Sequence, residues 1–184
     1  MFGFFRKDYE CEKANIEARG KIKIKGEVVN GCTALWTAAA KGHLDVVRLK
    51  IEQNAEVDGR TSTNSTPLRA AAFVGHLDIV RFLVENEADV NARNDFNSTL
   101  MIAWYRGYMD VVSFLVEHGS NIHQEDNDGD TCLHLAAEGG HFQIVECTKE
   151  VRINALKLLG ATIASDPADA YDNEKGFSLT KRGI

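Results

Sequence analysis

"TPLRAAAFVGHLDIVRFLVENEADVN", Thr66 to Asn91, has the pattern of a short helix, a tight turn, a second helix and an extended exit. Nearly the same string starts again at Thr33 ("TALWTAAAKGHLDVVRLKIEQNAEVD"), at Ser98 ("STLMIAWYRGYMDVVSFLVEHGSNIH") and at Thr131 ("TCLHLAAEGGHFQIVECTKE"). The starts step by 33, 32 and 33 residues, and Gly42, Gly75, Gly107 and Gly140 step with them. Self-similarity at such a period marks a supersecondary unit that is stable only when stacked on copies of itself.

Each element of the unit has a physical cause. Thr or Ser opens it as a helix N-cap, its hydroxyl accepting from an amide that the helix leaves unpaired. Pro67 sits just inside, where its missing N–H costs nothing. The small pairs Ala38-Ala39, Ala71-Ala72 and Ala136-Ala137 let the first helices of neighbouring units approach closely. The glycine then ends that helix by accepting a positive φ. In the second helices, Val46, Val47 and Leu49, then Ile79, Val80, Phe82 and Leu83, form a stripe expected to lie on the helix pair behind. Exits rich in Asn, Asp and Gly suit tight turns.

The period, with "TPLR" and "TCLH" close to a T-P-L-H opening, resembles the ankyrin repeat. This predicts an all-α ankyrin solenoid of four helix-turn-helix repeats with short hairpin-like loops, over about 31–63, 64–96, 97–128 and 129–147. Residues 1–30 read as an N-terminal capping helix and an extended hairpin segment. In that segment "RGKIKIK" (Arg19 to Lys25) alternates cations with isoleucines, as one solvated strand face does. "EVRINALKLLGATI" reads as a C-terminal capping helix over 148–164, and 165–184 as a frayed tail.

The remaining composition narrows the function. A net charge of −6 argues against a nucleic-acid partner. No apolar run reaches the length of a membrane span, and "MFGFFRKDYE" lacks the pattern of a signal peptide. Cys11, Cys32, Cys132 and Cys147 form no CxxC pair, and Cys132 with His134 matches no common zinc spacing. Reduced structural thiols suit the cytoplasm, or the nucleus as well. No catalytic grouping and no cofactor or metal motif stands out. His43, His76 and His141 follow the turn glycines and are expected to tie each turn to the next repeat.

In such stacks the concave face, built from first helices and exit loops, holds partners. The positions that vary there include Trp36, Arg69, Phe73, Val74, Met101, Trp104, Tyr105 and Arg106. Aromatic and arginine side chains are the types that anchor interfaces. Two residues break the pattern. Lys50 stands where Leu83 and Leu115 stand in later units, so it must snorkel if half-buried. Trp104 replaces a small alanine, which predicts overpacking of about 1–3 kcal/mol or a splayed unit.

Four stretches also resemble the Fem (feminization) family, ankyrin substrate receptors of cullin-2 ubiquitin ligases. They are "IEARGKIKIKGEVVNGCTALW", "TSTNSTPLRAAAF" with "GHLDIVRFLVEN", "LMIAWYRGYMDVV" and "RINALKLLGAT". The resemblance implies a groove that grips substrate C-terminal peptides ending in arginine, with Trp36, Ser65, Phe73, Tyr105 and Arg106 on matching positions. Arg69 and Val74 complete the expected peptide-binding set. The family motif reads Phe-Asp-Gly-His, its Asp gripping the arginine, whereas this chain reads Phe73-Val74-Gly75-His76. Valine neither accepts a hydrogen bond nor balances a charge; Asp78 and Glu138 are the candidate substitutes. Compared with the family pattern, the sequence is expected to fall short of the family's first two repeats and of its elongin-binding box. Any cullin-2 or elongin contact is therefore expected through another chain. The alternative expectation is a generic ankyrin scaffold for a folded protein partner, without a ligase role.

Overall fold

The computed structural model describes residues 15–24 and 26–141. The expected N-terminal capping helix, the second half of the fourth unit, the 148–164 helix and the tail lie outside the described residues, as do Cys11 and Cys147. Among the described residues the chain forms one hairpin, β1 (Gly20–Ile24) and β2 (Glu27–Cys32), followed by seven helices. These are α1 (Ala34–Lys41), α2 (Leu44–Glu52), α3 (Pro67–Val74), α4 (Leu77–Glu85), α5 (Thr99–Arg106), α6 (Met109–Glu117) and α7 (Cys132–Glu138). The architecture is a helical repeat: three complete helix pairs and the first helix of a fourth. It is not strictly all-α, because β1 and β2 pair antiparallel and open the stack.

The N-caps explain where each inner helix starts. Thr33, Thr66 and Ser98 have extended backbones, and their hydroxyls accept from the N–H of Trp36, Arg69 and Met101 at 3.1, 3.3 and 3.3 Å. At Thr131 the N–H donates to Nδ1 of His134 at 3.1 Å, so the histidine of "TCLH" caps its own helix. α1, α3 and α5 each end at a glycine with positive φ (Gly42, Gly75 and Gly107), which turns the chain into the outer helix, whereas α7 is capped by Gly139 in the right-handed region.

Two layers result. Inner helices stack α1 on α3, α3 on α5 and α5 on α7; outer helices stack α2 on α4 and α4 on α6. The core between the layers is made of Leu35, Leu68, Leu100 and the alanines of the inner helices with Val47, Val80, Val112 and their neighbours. Cation–π contacts repeat across the outer layer: Arg48 lies 4.4 Å from the Phe82 ring centroid, and Arg81 lies 4.7 Å from that of Phe114. The exit loops form a ladder of their own. Asp58 accepts from the N–H of Asp89, and Asn91 Oδ1 accepts from the N–H of Asn121.

Three expectations are corrected by packing. The stripe in α2 is only partly covered: Val47 is fully buried, but Val46 and Leu49 are 36% and 48% exposed. Among the described residues no helix pair precedes α2 to cover that flank, whereas the equivalent Ile79 in α4 is buried. Ala137 of the third small pair is exposed, while its neighbour Ala136 is buried. The rings after the turn glycines reach back rather than forward. A Cβ on Gly42 would meet the His76 imidazole at 2.7 Å, and one on Gly107 would meet His141 at 2.6 Å. Tyr108 takes the same place over Gly75, while His43, with no earlier helix pair among the described residues, is exposed.

The two misfits fare differently. Lys50 is half-buried and extends its ammonium to Gln53 Oε1 at 3.0 Å. Trp104 is buried in the main core at 2% exposure, with no hydrogen-bond partner for its Nε1 among the described residues.

Candidate functional site

The hairpin creates the site. Ile22, Ile24 and Val29 fold against Trp36, Ala40 and Ala70, a second small core beside the main one. Where β2 stands off from the inner helices it leaves a cavity of about 360 Å³. One wall is the hairpin, with Val28 and Val29; the floor is α1 and α3; the far wall is the loop carrying Asn94 and Phe96. Arg19 helps seat the hairpin, donating to the carbonyl oxygens of Arg60 and Gly31.

Five of the seven residues expected to bind peptide line this cavity: Trp36, Ser65, Arg69, Phe73 and Val74. Tyr105 and Arg106 do not line it. Tyr105 is half-buried in α5, and its carbonyl oxygen contacts His141 Nε2 at 3.1 Å. Arg106 reaches the site indirectly, its guanidinium 4.7 Å from the centroid of the Phe73 ring. Met101 and Trp104, expected on the concave face, are buried in the core. Neither Asp78 nor Glu138, the candidate substitutes for a groove acid, lines the cavity.

The polar groups of the cavity are held firmly. The Trp36 indole N–H donates to Ser65 Oγ at 3.3 Å, and Ser65 itself is 4% exposed. Its backbone is closed into a loop with Thr61: the Thr61 N–H donates to the Ser65 carbonyl and the Ser65 N–H to Thr61 Oγ1. With Oγ accepting from Trp36, the Ser65 O–H is left to donate.

Arg69 is the most unusual group. Its Nη2 donates to Asn97 Oδ1 at 2.8 Å, while its buried Nε has no partner. Among the described residues no carboxylate pairs with it. Burial pulls its pKa from 12.5 down to about 10, still far above neutrality, so the guanidinium is a cation with its charge uncompensated. Thr66, which caps α3, fixes the backbone that carries it.

The thiols offer no comparable chemistry. Cys32 and Cys132 are free and buried; burial pushes Cys132 up to about 12 and raises Cys32 as well, which suppresses the thiolate. Among the described residues there is no group of three or more potential metal ligands, and no helix is long and apolar enough to cross a membrane.

Sequence reasoning missed the hairpin and loop walls, Val28, Val29, Asn94 and Phe96. Phe96 had a usable signal, since a single aromatic inside "RNDFNS" has no core role in a turn. It is 62% exposed, as is Val28.

Stacked helix pairs with an open groove along their inner layer define a repeat protein of the interaction type. A family model described as ankyrin repeats, in three copies, matches residues 5–94 and 93–156, and the chain belongs to the ankyrin-repeat family. Ankyrin repeats are protein-binding modules, generally without enzymatic activity. A fem-1 homolog of Drosophila melanogaster is 40% identical over 49 residues, covering 27% of this chain and 7% of that protein.

Proposed function

We propose that this chain is a Fem-like substrate-recognition module of ubiquitin-dependent protein degradation, holding the C-terminal peptide of a protein substrate in the cavity between the hairpin and α3. The observation that carries the reading is Arg69: a half-buried cation on the cavity wall, its Nε buried without a partner and, among the described residues, no carboxylate paired with it. A chain-terminal carboxylate supplies the missing charge, and the Ser65 O–H adds a second donor. The likeness to a fem-1 homolog and the Fem-like motifs support the degradation role. Its setting is the cytoplasm or nucleus. No cofactor, nucleic acid or membrane enters this role, and the module performs no chemistry.

The exposed Val28 and Phe96 favour one rival, a scaffold for a folded partner surface. The two readings part on free peptides. Fluorescence polarisation with short peptides bearing either a free C-terminal carboxylate or an amide is the test. The chain-end reading expects amidation to weaken binding by about tenfold or more, the loss of one charge-assisted contact. Equal binding of acid and amide overturns it, and negligible binding of every peptide favours the scaffold.

A further inference from the structure

The side-chain chemistry of the cavity goes further than its grip on a carboxylate. We propose that the cavity selects chain ends whose last side chain is apolar, aliphatic or aromatic, and rejects those ending in arginine or lysine. This rests on the chain-end reading above and specifies its substrate class.

The reasoning starts from charge. Among the described residues lining the cavity no Asp or Glu occurs, so a cationic side chain would enter without a counter-ion. It would also enter near Arg69, whose charge the chain-end carboxylate already takes up, and near Arg106, which is held over Phe73. The peptide's own cation is then left without a counter-ion in a partly desolvated space and loses hydration. The nearest acid along the chain, Asp95, sits between Asn94 and Phe96 but is turned away. Its carboxylate accepts from Asn64 Nδ2 at 2.6 Å, its carbonyl oxygen accepts from Asn127, and it does not line the cavity.

The apolar surface is arranged to receive something else. Val74 stands at the end of α3 with Phe73 beside it, and both line the cavity. Val28 and Phe96 form opposite lips, both 62% exposed. Large apolar side chains left so exposed on two sides of one cavity gain by burial at about 25 cal/mol per Å². An apolar last side chain covers them while its carboxylate goes to Arg69; a charged one leaves them wet.

The experiment compares peptides identical except for a last residue of Leu, Phe, Arg or Lys, each as acid and amide, against the chain and its Val74→Asp and Val74→Asn variants. Circular dichroism establishes that each variant is folded, and Val74→Asn keeps the test available if the charged variant is not. The expected result is that Leu and Phe acids bind about tenfold or more tighter than Arg and Lys acids, a gap of one charge-desolvation step. Val74→Asp should narrow or invert that ranking, and Val74→Asn should weaken Leu and Phe binding alone. Arg acids binding as well as Leu acids, while amides remain weak, overturn the apolar selection and leave the chain-end reading standing. A ranking unmoved by both variants overturns the role of Val74. Indifference to amidation removes the chain-end reading itself.

Discussion

The indole N–H of Trp36 donates to the hydroxyl of Ser65 across 29 residues of chain, at 3.3 Å and with both residues buried. Through this bond a helix of the first unit holds the entry to the second. It also sets the hydroxyl orientation in the cavity wall. Ser65→Ala leaves a buried indole donor with nothing to bond, a cost of about 1–2 kcal/mol. Urea unfolding should register that loss, and Trp36→Phe in the same background should recover about 1 kcal/mol of it. Additive single and double variants would mean that the two groups do not interact.

A second prediction concerns Gly75. Its φ is +89°, and a Cβ there would lie 2.6 Å from the Tyr108 ring. Gly119 has nearly the same backbone, φ +86°, with nothing within 4 Å of a built Cβ. Alanine at Gly119 therefore measures the left-handed conformation alone, about 1 kcal/mol. Alanine at Gly75 adds displacement of a packed ring, raising the loss to about 2–4 kcal/mol. Thermal melts of the two variants separate the effects, and equal losses would show that Tyr108 yields freely.

The difference between these glycines also shows what can be read from a one-dimensional string. The period, the Thr and Ser caps and the turn glycines are local or strictly recurring, and in the first three units each occupies its expected place. Lys50 snorkels as its chemistry demands. What escaped the reading depends on contacts between units and on the hairpin. Trp104 looks like a groove aromatic by position, yet its ring is buried in the core, which needed the surrounding volume to be known. Tyr105 and Arg106 share α5 with it and stand one unit beyond the cavity, because the hairpin wall rises only over α1 and α3. Val28 and Val29 read as an ordinary strand pair until β2 is folded over Trp36.

Arg69 yields the prediction with the most consequences. Its folded-state pKa lies below the ordinary 12.5, at about 10, and burial is the cause. For a base the sign follows directly: the fold disfavours the charged form. The penalty is therefore fully present at every pH below about 10 and relaxes only above it. At neutral pH the empty cavity thus carries a destabilised cation. Arg69→Met keeps the unbranched apolar stem, removes the charge and leaves the Asn97 contact unmade. The variant should be more stable than the parent by about 1–2 kcal/mol, or about 2–4 °C per kcal/mol in a domain of this size. Binding of carboxylate-ended peptides should fall together with that gain. Saturating such a peptide should raise the melting temperature of the parent and leave that of Arg69→Met unmoved. Differential scanning fluorimetry with and without peptide reads all four states. A less stable Arg69→Met would mean that the guanidinium holds the loop through Asn97 instead of waiting for an anion. A group that costs stability in the free protein and returns it on binding is a recognition group.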